Sequence, residues 1–467
     1  MGSTSASEMA QVSTPALDAV LARMRASSKA PAMWDGREFP YGALLDQIDV
    51  WRRRLQDRAM ARGDVVAVHG DYGLDSCAAI FALFLEGGVV VPFTPAATME
   101  MTSLMTVAGA ERIIRLRSDG DWSIESTGEV PQNALVESFR ARSRPGLIVF
   151  TSGSSGVPKG ILHDSELLLR KFVEPRAGWR TILFLSMDHL GGLNTLFASV
   201  AYGGVAICLP NRGAETVART IEASRATLLP TTPTFLNLLA ASGVYRHFDL
   251  STIRLITYGT EAMPEATLTR VRRMFPTAEI KQTYGLSELG VLRSKSEDSG
   301  STWVKIGGPG FEVKIVDDIL WIRSESNMVG YLNAPSPFDD DGWMNTGDLV
   351  EVRGDEVRIL GRRSDMINVG GQKVSPLDVE SVLLQAPNVA EASVRGVPHP
   401  LMGQVVHARI SLVDEDDADE TVVRLRRFCL ERLPRFKVPV RFEIVPPEAQ
   451  RGARFKKVRR ADPTDPA

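Results

Sequence analysis

The chain is poor in cysteine and has no long uninterrupted hydrophobic run. Its 467 residues include 3 cysteines, Cys77, Cys208 and Cys429, which lie far apart. An odd and scattered set has neither the pairing of a disulfide framework nor the spacing of a metal site. We therefore expect three buried thiols in a reducing compartment, the cytoplasm.

The most apolar stretch is too short and too interrupted to cross a membrane. It runs from Ala78 to Phe93 and is broken by Glu86, Gly87 and Gly88. A membrane-spanning helix needs about 20 apolar residues, so this stretch predicts a buried helix followed by a strand. The first residues also lack the basic segment and apolar run of a secretion signal. No membrane partner is expected.

The chain also has no large excess of positive or of negative charge. The chain has 54 Lys+Arg and 57 Asp+Glu, a formal net charge of −3. Proteins that bind nucleic acid usually present a basic excess, so no nucleic-acid partner is expected. A chain of this length is too long to fold around a single compact core, so we expect at least two domains.

Short β-branched runs alternate with segments of helical periodicity. Leu147-Ile-Val-Phe is typical of a buried strand, whereas Ala214–Ser224 and Glu265–Met274 have the spacing of amphipathic helices. This alternation predicts an α/β fold, with mixed or parallel sheets covered by helices. The pattern changes near residue 362, so we predict a large N-terminal domain, residues 1–361, and a small α+β domain, residues 362–467.

The strongest local motif is a Ser- and Gly-rich loop directly after that strand. It comprises Thr151, Ser152, Gly153, Ser154, Ser155 and Gly156, and it ends in Val157-Pro-Lys159. Glycines let the backbone curl around an anion, and the hydroxyl and amide groups can donate to phosphate oxygens. The motif is not a Walker loop, because Pro158 stands where that motif has Gly. A surface linker is the alternative interpretation, but linkers seldom follow a buried strand.

Three further segments carry groups suited to a nucleotide. Gln282-Thr-Tyr-Gly-Leu-Ser-Glu288 offers a hydroxyl for phosphate and a carboxylate for Mg²⁺. Thr257-Tyr-Gly-Thr-Glu261 follows a strand and could border a base. Asn345-Thr-Gly-Asp348 offers a carboxylate to the two ribose hydroxyls. Each segment alone is more often an ordinary turn.

Two more segments complete the pattern, Gly361-Arg-Arg-Ser-Asp and the basic tail Arg451–Arg460. Taken together in their order along the chain, these motifs resemble the adenylate-forming superfamily: acyl-CoA synthetases, aryl-CoA ligases, luciferases and peptide-synthetase adenylation domains. The resemblance runs from about Val66 to Arg460 and includes Gly330-Tyr-Leu-Asn-Ala-Pro.

The resemblance implies an ATP- and Mg²⁺-dependent enzyme with two half-reactions. A carboxylic acid is first adenylated with release of pyrophosphate, and the acyl group then passes to a thiol, of CoA or of a carrier-protein pantetheine. Residues 1–361 would be the adenylation core, and residues 362–467 a mobile domain that carries the catalytic lysine.

The resemblance also implies residue roles around ATP. The phosphate loop, Thr151–Lys159, would hold the β- and γ-phosphates, and Thr151 and Glu288 would hold Mg²⁺. Thr283 would contact the α-phosphate, and Asp348 and Arg362 would bind ribose. Gly259, Thr260 and Glu261 would border the adenine. The other residues expected to contact ATP are Gln282, Tyr284 and Gly285.

The catalytic set implied in the same way is Lys457, Thr283, Glu288, Lys159 and His189. Lys457 would bridge the carboxylate and the α-phosphate from the C-terminal domain, with the hinge at Ser364. Gly370 and Gly371 would line the pantetheine path. The family usually has Gly where this chain has Lys456. Register against Val458 and Arg460 favours Lys457, and Lys456 stays open.

The acid pocket is less well defined. Ser186-Met-Asp-His189-Leu-Gly-Gly resembles the segment that carries a gate residue in acyl and aryl ligases. Leu190 falls where amino-acid-activating relatives have Asp, which favours an acyl or aryl acid over an amino acid. The residues predicted to contact the acid are His189, Leu190, Tyr258 and Gly290. An amide-forming enzyme, a nitrite-activating diazotase acting on an aryl amine, and a catalytically silent ATP-binding paralogue remain as alternatives.

Overall fold

The computed structural model describes residues 14–97, 100–117, 120–151, 157–292, 294–295 and 300–450. No helix in this part of the chain is long and apolar enough to span a bilayer. The helices are α1 (Pro15–Ala26), α2 (Tyr41–Asp57), α3 (Leu74–Leu85), α4 (Met101–Ala108), α5 (Ala134–Arg140), α6 (Ser165–Arg170), α7 (Leu190–Ala201), α8 (Ala214–Ser224), α9 (Pro233–Ser242), α10 (Glu265–Met274), α11 (Pro376–Leu383) and α12 (Ala418–Leu430).

The strands fall into two successive groups along the chain. The first group is β1 (Pro31–Trp34), β2 (Glu38–Pro40), β3 (Val65–His69), β4 (Val89–Phe93), β5 (Arg112–Leu116), β6 (Trp122–Ser126), β7 (Gly146–Thr151), β8 (Lys159–Asp164), β9 (Arg180–Ile182), β10 (Val205–Ile207), β11 (Leu228–Thr231), β12 (Leu255–Tyr258) and β13 (Glu279–Gln282). The second group is β14 (Tyr284–Leu286), β15 (Gly290–Leu292), β16 (Ser294–Lys295), β17 (Trp303–Ile306), β18 (Phe311–Val316), β19 (Ile319–Ser324), β20 (Gly330–Tyr331), β21 (Met344–Arg353), β22 (Glu356–Arg362), β23 (Ile367–Val369), β24 (Gln372–Val374), β25 (Val389–His399), β26 (Gly403–Leu412) and β27 (Arg441–Ile444).

Two seven-stranded sheets form the centre of the large N-terminal region. Their strand orders are β20-β8-β7-β4-β3-β5-β6 and β13-β12-β11-β9-β10-β1-β2. The central strands pair in parallel, and the edge pairs β7–β8, β5–β6 and β1–β2 are antiparallel. Every residue of β4 is buried, because helices cover both faces of a parallel sheet. The predicted α/β fold, and the helix and strand predicted between Ala78 and Phe93, are confirmed.

The largest hydrophobic cluster joins the two sheets through α3 and α7. Phe81 and Phe84 of α3 contact Phe197 of α7, with ring centroids 5.9 and 6.0 Å apart. Burial of each such ring stabilises the fold by about 1.5–3 kcal/mol. Cys77 on α3 is buried and unoxidised, as are Cys208 and Cys429, and burial raises the pKa of the Cys77 thiol to about 12. This packing fixes α7 between the sheets.

After the two-stranded sheet β14-β15, two further sheets follow. The first, β16-β17-β22-β21-β19-β18, is antiparallel and ends at Arg362. The second has the order β24-β23-β26-β25, with β27 paired to β26, and it begins at Ile367. The large N-terminal and small C-terminal arrangement agrees with the predicted fold class. The boundary at residue 362 itself stays a prediction.

A polar contact joins the C-terminal region to α9 and α10. Arg270 donates to Asn237 Oδ1 at 2.8 Å and to the carbonyl of Leu384, and Asn237 donates to the carbonyl of Ala390. Burial lowers the pKa of the Arg270 guanidinium. These hydrogen bonds connect three segments that are remote in sequence.

A buried histidine ties the first sheet to the segment that carries Glu288. His163 of β8 is 1% exposed, and its Nε2 donates to the carbonyl of Ser287 at 2.7 Å. Burial, with a smaller contribution from the charge of Lys171, lowers the pKa of this imidazole from 6.5 to about 4. The folded protein therefore holds the His163 imidazole in its neutral form.

This histidine predicts a loss of stability in acid. The unfolded chain takes up a proton near pH 6.5, whereas the folded protein resists it down to about pH 4. Stability is therefore complete above pH 6.5 and falls as the pH drops, by about 3 kcal/mol at pH 4 from this one group. The variant His163→Gln keeps a donor but does not titrate, so its free energy of unfolding should fall less steeply.

Urea unfolding at neutral pH and near pH 4 measures the difference between His163→Gln and the wild type. The control is His247→Gln, because His247 lies exposed on the surface. An unchanged pH slope in His163→Gln would contradict the assignment.

Candidate active site

One large cleft lies at the carboxyl ends of the parallel strands of the second sheet, where ligands usually bind in open α/β sheets. Its volume is about 2520 Å³, and its wall extends to Asp365, Met366, Pro376 and Leu377 of the C-terminal region. The predicted site residues that line it are Thr151, His189, Leu190, Gly259, Thr260, Glu261, Gln282, Thr283, Tyr284, Gly285, Glu288, Asp348 and Arg362. The structure thus brings together residues that span more than two hundred positions of sequence.

The two ends of the phosphate loop lie side by side. Thr151 ends β7 and Lys159 begins β8, and the two residues are paired in antiparallel register. The Lys159 ammonium lies 4.8 Å from the centroid of the Tyr331 ring. Ser152, Gly153, Ser154, Ser155 and Gly156 lie outside the described residues. Of Thr151 and Lys159, only Thr151 is among the described residues that line the cleft.

Glu288 is connected to Lys159 through Tyr331. The Tyr331 hydroxyl donates to Glu288 Oε1 at 2.6 Å, and β20, which carries Tyr331, pairs with β8. Burial, followed by the neighbouring Glu288 charge, raises the pKa of Tyr331. The tyrosine therefore stays a hydrogen-bond donor and holds the carboxylate at the cleft.

The segment 257–262 makes a close backbone approach to Thr283. The Thr283 hydroxyl donates to the carbonyl of Tyr258 at 3.0 Å. A Cβ on Gly259 would lie 2.6 Å from Thr283 Oγ1, so only glycine fits there. Thr260 has a φ of +69°, a left-handed conformation that is costly for a threonine. Glu261 accepts a 2.6 Å hydrogen bond from the Thr234 hydroxyl, which anchors this turn to α9.

Asp348 is the most enclosed charged group among the predicted ribose ligands. It is 7% exposed, accepts a 2.5 Å hydrogen bond from the Tyr284 hydroxyl and lies 3.3 Å from Arg362 Nε. Burial raises the pKa of Asp348, although Arg362 and the Tyr284 hydrogen bond act in the opposite direction. Tyr284, predicted from sequence as an ATP contact, thus also orients the carboxylate.

His189 caps the start of α7. Its Nδ1 accepts a 3.1 Å hydrogen bond from the amide of Gly191, and Leu190 beside it is 4% exposed. A Cβ on Gly192 would lie 2.1 Å from the carbonyl oxygen of Ser186, so this helix packs directly on the preceding backbone. The cap fixes the imidazole at the cleft wall, which also contains Leu190.

Other predicted residues lie away from the described wall. Tyr258 is fully buried and its hydroxyl donates to Gln282 Oε1 at 3.3 Å, while Gly290 begins β15 with a φ of +86°. Neither is among the described residues that line the cleft, so the structure does not bring them to the predicted acid pocket. Tyr258 acts on the site through Gln282 and through its carbonyl, which Thr283 contacts.

The residues predicted to act from the C-terminal region lie in different parts of that region. Ser364 lies in a single 3₁₀ turn and donates to Asp365 Oδ1 at 3.1 Å. Gly370 and Gly371 form the turn between β23 and β24, with φ values of +55° and +89°, and neither is in the described cleft wall. Lys456 and Lys457 lie outside the described residues. Their roles stay predictions.

Sequence reasoning missed a charged group at the deep end of the cleft. Arg212 donates to both carboxylate oxygens of Asp71, at 2.7 and 2.9 Å, and its Nε donates to the carbonyl of Phe184 at 2.6 Å. Asp71 follows β3 and Arg212 follows β10, and both line the cleft. Because β3 and β10 belong to different sheets, no pattern within one sheet pairs these residues, and the sequence carries no signal for their contact.

Comparisons with known proteins agree with this arrangement. Residues 21–332 match the family described as AMP-binding enzyme, and residues 378–456 match the AMP-binding enzyme C-terminal domain. The 2-succinylbenzoate–CoA ligase of Bacillus licheniformis is 28% identical, over 84% of this chain and 88% of its own. A 3-[(3aS,4S,7aS)-7a-methyl-1,5-dioxo-octahydro-1H-inden-4-yl]propanoyl:CoA ligase of Mycobacterium tuberculosis is 30% identical, over 79% of this chain and 77% of its own.

The fold is also that of a solved enzyme. The anthranilate CoA ligase AuaEII, in complex with anthranoyl-AMP, superposes with a TM-score of 0.80 at 22% identity and covers 95% of each chain. The AMP-binding enzyme model alone spans residues 21–332 of the 467. The predicted membership of the adenylate-forming superfamily is confirmed, and this chain belongs to the AMP-binding enzyme family.

Proposed function

We propose that this protein uses ATP to adenylate a carboxylic acid and then transfers the acyl group to the thiol of CoA. The observation that carries the proposal is the convergence of Thr283, Glu288 and the Asp348–Arg362 pair on one cleft of about 2520 Å³. Such a cleft exceeds the roughly 300–1,000 Å³ of an ordinary small-molecule pocket, so it has room for a nucleotide and an acid together.

The first half-reaction joins two anions. A carboxylate oxygen forms a bond to the α-phosphorus of ATP, the bond from that phosphorus to the bridging oxygen breaks, and pyrophosphate leaves. Hydrogen-bond donors and cations aimed at the developing charge lower the barrier. On this chain the Thr283 hydroxyl, Lys159 and the predicted Lys457 supply those groups.

The donor set at the cleft fits a magnesium ion. Mg²⁺ is usually held by one or two carboxylates together with substrate phosphates. The Glu288 carboxylate and the Thr151 hydroxyl both line the cleft and would hold it. When bound, the ion neutralises phosphate charge. Among the described residues no group of three acidic, histidine or cysteine side chains could hold a metal alone, which suits an ion that arrives with the nucleotide.

The second half-reaction consumes the acyl-adenylate. The thiolate sulfur of CoA forms a bond to the acyl carbon, and AMP leaves with the electrons of the carbon–oxygen bond. AMP is a good leaving group, whereas the oxide of a free carboxylate is not. CoA is preferred as the acceptor because both curated relatives are named as CoA ligases.

The acid is proposed to carry a ring. One of the two relatives is named for 2-succinylbenzoate and the other for an indenyl propanoyl group, and both names contain ring systems. On this chain the apolar Leu190 at the start of α7 offers no carboxylate for the ammonium group of an amino acid. A carboxylic acid without an α-ammonium group therefore fits Leu190 better than an amino acid, and the ring is proposed from the names of the relatives.

Pyrophosphate release across a panel of acids, with and without CoA, tests the function as a whole. CoA-dependent formation of AMP with a ring-bearing acid is the expected result. Release that requires nitrite and an aryl amine would replace the proposal with diazotase chemistry. ATP binding without release for any acid would identify a silent paralogue.

Asp348→Asn should weaken ATP binding. The substitution keeps the volume but removes the charge that accepts hydrogen bonds from the ribose hydroxyls, a loss of about ten- to hundredfold in affinity. Measured KM values for ATP check this. The control is Asp355→Asn, because Asp355 is exposed in the turn between β21 and β22, where it pairs with Lys305. Equal KM values in wild type and Asp348→Asn would contradict the ribose assignment.

Lys457→Ala should lower the adenylation rate by about 10²–10³, the loss expected when one charge-stabilising group is removed. Transfer to CoA from a supplied acyl-adenylate should fall much less, since this lysine is proposed to act in the first half-reaction. Single-turnover assays of each half-reaction separate the two. The matched control is Lys456→Ala. If Lys456→Ala loses more adenylation activity than Lys457→Ala, Lys456 is the catalytic lysine. Equal losses of rate in both half-reactions of Lys457→Ala would contradict a movement of the C-terminal domain between them.

A further inference from the structure

Three buried polar atoms at the cleft have no partner within the described residues. They are the Tyr72 hydroxyl, Asn194 Oδ1 and the Thr231 hydroxyl, and all three residues line the cleft. Buried polar atoms in folded proteins are nearly always hydrogen-bonded, so each exception needs an explanation. A bound ligand that forms hydrogen bonds with these atoms would explain all three.

The first two atoms belong to the acid end of the cleft. Tyr72 follows β3 and is 7% exposed. Its hydroxyl oxygen lies 2.6 Å from the position that a Cβ on Gly192 would take, which puts it against the first turn of α7. Asn194 lies one helical turn after Leu190 and therefore on the same face. The Tyr72 hydroxyl thus lies against the start of α7, and Asn194 lies on the helix face that carries Leu190.

The third atom comes from a different element. Thr231 is the last residue of β11 and is 1% exposed. It stands at the carboxyl end of that strand, and Thr232, which follows it, caps α9. The unpaired polar atoms of the cleft therefore come from more than one element of the fold.

An acid made only of hydrocarbon beyond its carboxylate would leave these atoms unpaired. A site built to hydrogen-bond a substrate group discriminates strongly against the analogue that lacks it. The amide oxygen of Asn194 accepts, and the Tyr72 hydroxyl both donates and accepts. A hydroxyl or amino group on the acid supplies what both require.

The charges at this end argue against a second carboxylate. Arg212 is only 13% exposed, and its guanidinium is directed at Asp71 and the carbonyl of Phe184. Asp188, which is 5% exposed, adds another negative charge next to the Ser186 hydroxyl. The other arginines that line this part of the cleft, Arg37 and Arg176, are exposed. The enclosed charge is therefore negative.

We propose that the acid substrate is a monocarboxylic acid with an uncharged hydroxyl or amino group remote from the reacting carboxylate, and that Tyr72 and Asn194 select it. The inference rests on the proposed adenylation and narrows its substrate class. Tyr72 and Asn194 are specificity-determining residues in this account. Long unsubstituted acyl chains and dicarboxylic acids are the classes that they exclude.

The test compares matched acids on one protein. We would measure kcat/KM for pyrophosphate release with benzoate and cinnamate, with every ring isomer of their hydroxy and amino derivatives, and with octanoate and 2-succinylbenzoate. The best substituted acid should exceed its unsubstituted parent by at least about tenfold. Tyr72→Phe and Asn194→Leu should each lower that ratio by about tenfold. The ratio does not depend on the fraction of folded protein, because both acids meet the same preparation.

The control is Tyr245→Phe, since Tyr245 lies in the 3₁₀ turn after α9, away from the described cleft wall, and should keep the wild-type ratio. Equal values for parent and substituted acids in the wild type would overturn this inference and leave the adenylation standing. So would an unchanged ratio in both Tyr72→Phe and Asn194→Leu, or a preference for octanoate or 2-succinylbenzoate. No release with any acid would overturn the proposed function and this inference together.

Discussion

The packing of α3 and α7 between two sheets is the constraint on which the site depends. Phe197 is held by Phe81 and Phe84, so α7 is fixed to both sheets by buried aromatic contacts. The start of the helix, capped by His189, then reaches the edge where the parallel strands of the second sheet end. The position of the cleft wall at His189 and Leu190 therefore depends on the core, and a change in that core would move it.

Neutral ring side chains hold the charged groups of the site. Tyr331 donates to Glu288, Tyr284 donates to Asp348, and His163 donates to the carbonyl of Ser287. Each donor is buried or half-buried, and burial raises the pKa of both tyrosines and lowers that of the histidine. All three therefore keep a donor proton without carrying a charge: the tyrosines orient the carboxylates of Glu288 and Asp348, and His163 holds the Ser287 carbonyl.

Much of the fold could be predicted because local patterns agree with the final structure. The amphipathic spacing gave α8 and α10 with their observed limits, Ala214–Ser224 and Glu265–Met274. Most of the residues predicted to contact ATP line one cleft, and the segments 257–261 and 282–288 continue from β12 and β13, whose ends lie at that edge. That they contact ATP stays a prediction. Tyr258 and Gly290 were less well placed by sequence, because one side chain turns to Gln282 and the other residue begins a strand. Asp71, Tyr72 and Arg212 belong to no motif, and only the tertiary structure brings them together.

The contact between α9, α10 and the C-terminal region has a mechanical consequence. Arg270 and Asn237 meet Leu384 and Ala390 through hydrogen bonds to carbonyl groups. Water can replace each of these partners when the surfaces separate, and the guanidinium regains its hydration shell. An apolar seam of equal area would instead expose its surface to solvent with no such compensation. Separation of these surfaces would therefore cost less free energy than separation of an apolar contact of equal area.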